Sequence, residues 1–483
     1  MAAANDLRPV RTKIVATIGP ASRAPAVLRR LIEAGVSVFR LNFSHGTHEE
    51  HAAVLADIRA QSREADRHVA VLQDLCGPKM RLGPIPGDLV ECPLGEEFVL
   101  AAERSSESPR ELTCSYRELP NDLKPGEAVL FADGTVAMTV TDVGRGKARL
   151  RVTLPGRLRS RQGLNLPGTE LAVPSLTDKD LRDLDWTARH PADVQFVGLS
   201  FVRGADDVAR LRQELAAREC PARVVVKIEK PQAVRHLEAI VAATDGVMVA
   251  RGDLGVETDV RRVPAIQKRA IELCNRAHRP VITATQMLNS MEHSSRPTRA
   301  EASDVFNAVL DGTDAVMLSG ETAVGEYPVE AVETMRQICA EAEAYRASAD
   351  RPAAEPAPLA GFVEPITEAA VDAACLATRR LDAPLIVVAT ESGRTALALS
   401  NRRPAATILA VTRTEALART LAVCWGVTPV VQPEPATAER EFDLAIQRAK
   451  ERGAVKPGQY AVLVRGRVPG DERGRAVLVR EVA

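Results

Sequence analysis

Lys227, Glu229, Arg251 and Asp253 are charged residues spaced as if to act together. In "VVVKIEKPQAV" (224–234), Lys227 and Glu229 alternate out of phase with Val226 and Ile228. An extended segment therefore points both polar residues to one face. In "VMVARGDLGVE" (247–257), Arg251 and Asp253 follow the next apolar run, with Gly252 and Gly255 beside them. Glycines there let backbone amides approach an anion, and a helix start adds its dipole. Two carboxylates from neighbouring strand ends suit Mg²⁺, which uses one or two protein carboxylates and leaves room for substrate oxygens. A Lys–Glu ion pair would also explain the first two residues, although buried pairs are weak evidence for stability. The four charges taken together favour chemistry.

Other segments end in the same way. In "FRLNFSHG" (39–46), Arg40, Asn42 and Ser44 share parity and face one side. Ser44 or Thr47 would also serve as the N-cap of a following helix. His45, His48 and His51 have helix-face spacing, but Glu49 and Glu50 interleave and no second cluster completes a metal site. His48 and His51 are expected to be solvated helix residues. "DLCGPKMR" (74–81) places Asp74, Lys79 and Arg81 after another apolar run, with Gly-Pro between them. "VITATQML" (281–288) carries Thr283 and Thr285, and "VMLSGETAVGEYP" (316–328) carries a Ser319-Gly320 pair best read as a cap.

Residues so placed require a repeating scaffold. Apolar runs at 13–18, 36–41, 69–72, 194–199, 224–228, 246–249, 280–284 and 315–318 alternate with helical patterns such as 25–34, 206–218 and 264–277. Another helix, 298–310, opens with a Thr298-x-x-Glu301 capping box. Eight such units predict a (β/α)₈ barrel, where charge at C-terminal strand ends reads as catalytic. Residues 82–173 break the rhythm with turn-punctuated alternating segments (127–131, 137–140, 148–154). They read as a small all-β domain inserted after the third strand. A Pro- and Ala-rich linker spans 347–365, and the strands at 383–390, 406–412 and 460–466 beyond it predict a separate α/β domain. The expected layout is barrel at 1–81 and 174–346, insertion at 82–173, linker at 347–365 and C-terminal domain at 366–483.

At 483 residues, two to four domains are expected. Acids and bases nearly cancel, 64 against 63, which argues against a nucleic-acid or membrane-surface partner. No apolar run of transmembrane length and no signal peptide appear. Eight scattered cysteines without a Cys-x-x-Cys pair predict reduced thiols and a cytoplasmic location.

"TKIVATIGPAS", "FRLNFSHG", "GLNLPG", "LSFVR", "VKIEKPQAV", "GVMVARGDLGVE", "PVITATQML" and "TESGRTA" occur in the order found in pyruvate kinases, and the chain resembles that family over about 12–430. The resemblance implies a barrel, an inserted β-barrel lid, a C-terminal regulatory domain and a homotetramer. It implies phosphoryl transfer from phosphoenolpyruvate to ADP, giving pyruvate and ATP with Mg²⁺ or Mn²⁺. Glu229 and Asp253 would hold the metal, and Lys227 would neutralise charge on the phosphoryl group and the enolate. Backbone amides at Arg251, Gly252 and Asp253 would take the substrate carboxylate. Thr285 would stand where the proton arrives, and Arg40 and Arg81 would clamp phosphate. Asn42, Phe43, Ser44 and His45 would lie along the nucleotide.

The resemblance also implies a monovalent-cation site at Asn42, Ser44 and Asp74. Leu75 and Lys79 stand where many relatives have threonine and glutamate, so Lys79 is expected near Asp74 in place of K⁺. Gln162 replaces a lid lysine, with Arg161 beside it, and Asn289 and Glu391 are further departures. Thr390, Ser392, Gly393, Arg394 and Thr395 form a candidate phosphate pocket for a phosphorylated effector, with Arg467 and Arg473 as accessory candidates. Two rival readings are another Mg²⁺-dependent barrel enzyme acting on pyruvate or phosphoenolpyruvate, and a non-catalytic regulatory paralogue.

Overall fold

The computed structural model describes residues 10–102, 108–169, 173–348, 363–433, 438–466 and 474–483. Most of the 347–365 linker, Arg467 and Arg473 lie outside the described residues.

Eight parallel strands close into a barrel in the order β1-β8-β7-β6-β5-β4-β3-β2. They are β1 (Lys13–Thr17), β2 (Val36–Asn42), β3 (Ala70–Asp74), β4 (Phe196–Leu199), β5 (Arg223–Ile228), β6 (Gly246–Ala250), β7 (Val281–Ala284) and β8 (Ala315–Leu318). Most of these strands are buried along nearly their whole length, as expected of parallel strands covered on both faces by helices. Strand β3 runs two residues past the apolar stretch. Its polar end is paid for by partners: Gln73 Nε2 donates to Asp183 O at 2.9 Å, and Asp74 lies in register with Asn42 on β2 and Gly198 on β4.

Local signals set the helices. Pro25–Ala34 begins with proline and ends at Gly35. Arg299–Asp311 starts at Thr298, whose capping box with Glu301 is complete. His48–Glu64 is capped by Thr47, again with a full capping box, so Ser44 is free of that task. Ser319 makes no side-chain cap; its hydroxyl is buried without a hydrogen-bond partner among the described residues, and Glu321 instead accepts its backbone N–H at 2.6 Å.

Between β3 and β4 the chain builds a seven-stranded sheet that includes Met80–Arg81, Gly163–Asn165 and Val136–Gly144. Its two edges meet through the Leu82–Cys114 bridge and the bonds Gly83 N–H to Thr113 O and Ser115 N–H to Arg81 O. The sheet thus closes on itself around Phe98, Phe131, Met138 and Leu150. Arg81 belongs to this sheet, one turn beyond Asp74.

The C-terminal domain is a five-stranded sheet ordered β11-β10-β9-β12-β13. Its strands are β9 (Leu385–Ala389), β10 (Thr407–Thr412), β11 (Val427–Val431), β12 (Tyr460–Arg465) and β13 (Ala476–Glu481). The last pair is antiparallel, and β11 and β13 add to the three strands expected from sequence. A shared apolar cluster joins this domain to the barrel's N-terminal end through residues such as Val15, Leu72, Val423 and Val427. All eight cysteines are free thiols. Among the described residues no helix is long and apolar enough to cross a membrane.

Candidate active site

The C-terminal ends of β2, β3 and β5 place four charges in one buried network. Arg40 donates from Nε to Asp74 Oδ2 at 2.7 Å and from Nη1 to Thr17 Oγ1 at 3.1 Å. Lys227 Nζ lies 2.8 Å from Glu229 Oε1, 3.4 Å from Asp74 Oδ1 and 2.9 Å from Ser200 Oγ. Glu229 Oε2 accepts the Phe201 N–H at 2.8 Å. Asp74 and Glu229 are each 1 % exposed, so the balance of charges here is decided inside the protein. Burial pushes Asp74 up, yet Lys227 and Arg40 outweigh it and hold the carboxyl below its ordinary value. Burial also opposes the Lys227 ammonium, but Asp74 and Glu229 raise its pKa overall. Glu229 is shifted upward by burial; Lys227 pulls against this and Asp253 adds repulsion.

Asp253 stands in the first turn of the helix Arg251–Glu257, beside that network. Its carboxylate makes no hydrogen bond among the described residues, and its nearest cation is Lys79 at 4.0 Å. A part-exposed carboxylate with open lone pairs, next to a buried glutamate, fits a divalent cation that completes its shell with substrate and water oxygens. Among the described residues no group of three or more His, Cys, Asp or Glu converges as a metal cage. A two-carboxylate site for Mg²⁺ is the arrangement the residues suit.

The turn after β7 is strained. Thr285 and Gln286 have φ of 65° and 53°, costly for a β-branched residue. Arg251 braces the turn: its guanidinium donates to Thr285 O at 2.8 Å and Gln286 O at 3.2 Å, and is anchored by Asp304 at 2.8 Å. Thr285 Oγ1 accepts the Gly252 N–H at 2.7 Å and donates to Ala284 O at 2.7 Å. A Cβ on residue 252 would stand 3.3 Å from that hydroxyl. Thr285 and Gly252, read separately from the sequence, are thus hydrogen-bonded to each other. Thr283 turns into the core against Thr313.

The rim is cationic. Burial, then the charges of Arg81, Lys79 and Arg40, lower the His45 pKa. Arg81 Nη1 donates to Arg161 O at 3.3 Å. Asn42 Oδ1 accepts the Ser44 N–H at 3.1 Å, and Phe43 is buried against Trp186, 5.0 Å between ring centres. Gln162 folds back on its own turn, its Oε1 accepting from Arg159 N at 2.8 Å. The other histidines are structural: His48 meets Asp183 at 2.8 Å, and His51 stacks on Phe43 at 4.1 Å. Both are packed against protein, contrary to the expectation of solvated residues.

Lys79 also differs from expectation. Asp74 is partnered by Arg40 and Lys227, while Lys79 reaches toward Asp253. The reason is the corner between them. Gly77 has φ of 64°, and any Cβ there would lie 2.8 Å from Phe201 Cδ2, so the chain turns sharply and delivers Lys79 to the inserted sheet.

Several contributors were not singled out from the sequence. Ser200 holds Lys227 and donates to Leu75 O; Phe201, at φ 56°, presents its amide to Glu229; Thr17 supports Arg40. Asn165 of the insertion donates to Glu257 at 2.9 Å, and Glu257 also binds Lys230 at 2.6 Å, joining insertion to barrel. Ser200, Phe201 and Asn165 sit inside quoted motifs, but an isolated hydroxyl, phenyl or amide carries no spacing signal.

The C-terminal domain holds a cavity of about 170 Å³ whose lining includes Thr390, Ser392, Arg394, Thr395, Arg413 and Arg465. Gly393, at φ 86°, donates its N–H to Thr390 Oγ1 at 2.9 Å and opens the following helix. Glu441 faces Arg465 at 3.2 Å.

Comparison with known proteins agrees with this geometry. Residues 9–332 match the family model described as "Pyruvate kinase, barrel domain", and residues 368–478 match "Pyruvate kinase, alpha/beta domain". The pyruvate kinase of Staphylococcus epidermidis is 40% identical over 477 residues, covering 97% of this chain and 80% of the relative. That of Geobacillus stearothermophilus is 41% identical over 476 residues with the same coverage. A crystal structure of a pyruvate kinase from Cryptosporidium parvum superposes with a TM-score of 0.92 at 35% identity, covering 100% of this chain and 98% of that one. The chain belongs to the pyruvate kinase family.

Proposed function

We propose that this chain transfers the phosphoryl group of phosphoenolpyruvate to ADP at the Lys227–Asp74–Glu229–Arg40 network, with Glu229 and Asp253 holding Mg²⁺ or Mn²⁺. The observation that carries the reading is a buried ammonium shared between two carboxylates, beside a third carboxylate that makes no hydrogen bond among the described residues. When bound, the metal supplies positive charge to the substrate's oxygens. Lys227 offsets negative charge as it moves onto the enolate, and Ser200 and Glu229 fix its position beforehand. Arg40, Lys79 and Arg81 attract and orient phosphate groups. The backbone N–H groups of Arg251 and Asp253 face the substrate carboxylate, with that of Gly252 already tied to Thr285. Thr285, on its strained turn, positions the proton delivered to the enolate carbon. Asn42, Phe43, Ser44 and His45 border the nucleotide, and the inserted domain excludes water when it closes.

Independence from K⁺ is part of the proposal. Leu75 is buried and apolar, Asn42 Oδ1 is engaged by Ser44, and Asp74 is balanced by Arg40 and Lys227. Lys79 then adds its charge at the metal side of the site, where it supplements the field that K⁺ provides elsewhere. The cavity at Thr390–Thr395 is proposed to take a phosphorylated effector, and the chain to work as a cytoplasmic homotetramer. The deciding experiment is pyruvate and ATP formation from phosphoenolpyruvate, ADP and Mg²⁺. Failure to make ATP under every monovalent salt would overturn the reading.

A further inference from the structure

The inserted domain meets the barrel at one end of the helix that carries Asp253. Glu257 is the last residue of that helix, Arg251–Glu257, about one turn beyond Asp253. It is 2 % exposed, and a buried carboxylate at a helix C-terminus has both burial and the helix dipole against it. Local rules do not explain a charge there; its partners do. Glu257 Oε1 accepts from Lys230 Nζ at 2.6 Å and from Asn165 Nδ2 at 2.9 Å. Lys230 belongs to the barrel, just past the end of β5. Asn165 belongs to the inserted sheet, in register with Leu130. Glu257 Oε2 is buried with no hydrogen-bond partner among the described residues, so the carboxylate depends on these two donors. A turn of the insertion closes on the same place: a Cβ on Gly134, at φ 84°, would stand 3.8 Å from Val256 Cγ1. Lys230 Nζ also lies 5.5 Å from the Phe201 ring centre, and that ring leaves no room for a Cβ at Gly77, where the chain turns toward the insertion. Glu257 thus connects to the outgoing neck of the insertion through Lys230 and Phe201, and to the returning neck through Asn165.

We propose that Glu257 is a positioning residue for the transfer, latching the inserted domain to the helix of Asp253 through Asn165. This role presupposes the phosphoryl-transfer reading and adds to it the residues that hold the lid down. The two partners have different tasks. Lys230 keeps the carboxylate neutralised wherever the lid stands, so opening breaks one hydrogen bond and leaves no unpaired buried charge. A single charge-assisted bond shifts an equilibrium by about ten- to a hundredfold, enough to favour the docked lid and small enough to release product. Because Glu257 and Asp253 share one short helix, the lid docks on the element that also presents Asp253. With the latch broken, water enters and competes with ADP. Its oxygen bonds phosphorus as the bond from phosphorus to the enol oxygen breaks. The water releases a proton and the enolate takes one, giving inorganic phosphate and pyruvate.

Pyruvate, ATP and inorganic phosphate, measured together on the full chain, test the latch. The parent should make one ATP per pyruvate. Asn165→Asp sets a second carboxylate against Glu257 without changing side-chain size; kcat should fall about tenfold or more, and phosphate should appear with the excess pyruvate. The double change Asn165→Asp/Glu257→Gln exchanges donor and acceptor and keeps one carboxylate for Lys230. It should return kcat to within about threefold of the parent and restore one ATP per pyruvate. Hydrogen exchange without substrates should show residues 131–135 and 251–257 opening in Asn165→Asp and protected again in the double variant, with the barrel strands unchanged. A parent-like kcat or a parent-like stoichiometry in Asn165→Asp, or a double variant no better than the single one, would overturn the latch and leave the transfer reading intact. Loss of protection throughout the barrel would also overturn it, by making Asn165 a residue of the fold only. A parent that makes no ATP would overturn the transfer reading and the latch with it.

Discussion

Replacing Lys227 by methionine tests the central assignment. The methionine keeps the volume of the stem and removes the ammonium, which touches Glu229 at 2.8 Å, Ser200 at 2.9 Å and Asp74 at 3.4 Å. Two effects follow, with different sizes. In the resting protein a buried cation is removed from two carboxylates, a change that costs about 3–5 kcal/mol when nothing else compensates. Compensation exists here: Arg40 still holds Asp74 at 2.7 Å, and the Phe201 amide still holds Glu229. The folding penalty should therefore fall below that range. No such substitute exists for charge appearing on the enolate. Loss of one preorganised group of this kind costs about 3–4 kcal/mol, or roughly 10²–10³ in kcat. The assay is pyruvate formation at saturating substrates, paired with Mn²⁺ titration and a near-ultraviolet spectrum to establish metal binding and fold. The expected variant is folded, binds Mn²⁺ and turns over hundreds of times more slowly. A kcat within about threefold of the parent, under 1 kcal/mol of barrier, would refute the reasoning.

Four further outcomes are expected. Replacing K⁺ by tetramethylammonium at matched ionic strength should change activity little, and activation by K⁺ of about tenfold, roughly 1.4 kcal/mol, would contradict the role given to Lys79. The double change Leu75→Thr/Lys79→Glu should create K⁺ dependence, read from the same salt series. Gly77→Ala should destabilise the chain by about 1–2 kcal/mol from its positive φ alone and more from the contact with Phe201, seen as a lower Tm with a weakened Mn²⁺ site. Glu368 meets His278 at 2.6 Å and Arg402 at 2.6 Å, and these outweigh burial to hold its pKa below the ordinary value. Its stabilising contribution is complete above its unfolded value of about 4.3 and disappears as pH falls through the lower folded value. The Tm difference between parent and Glu368→Gln should accordingly be present at pH 7 and close below about pH 4; a difference that grows in acid would reverse the sign.

Much of this molecule follows from local rules. Eight strands, their helices, the Thr47 and Thr298 caps and the break into an all-β insertion answer to residue periodicity and side-chain chemistry within a few positions. Lys227 and Glu229 share a face because strands alternate, and Asp253 joins them because consecutive strands of a parallel barrel are neighbours. Partner choice was decided only by tertiary structure. Asp74 stands five residues from Lys79 in sequence, yet its partners are Arg40, 34 positions earlier, and Lys227 from β5. Register across β2, β3 and β4 sets the first pairing, and closure of the barrel brings the second into reach. The corner at Gly77, a left-handed turn with no room for a Cβ beside Phe201, sends Lys79 toward Asp253 instead. The strained turn at Thr285, braced by Arg251 and bonded to Gly252, likewise depends on groups that meet only in space. Spacing can say which residues face inward; distances between distant strands decide which of them meet.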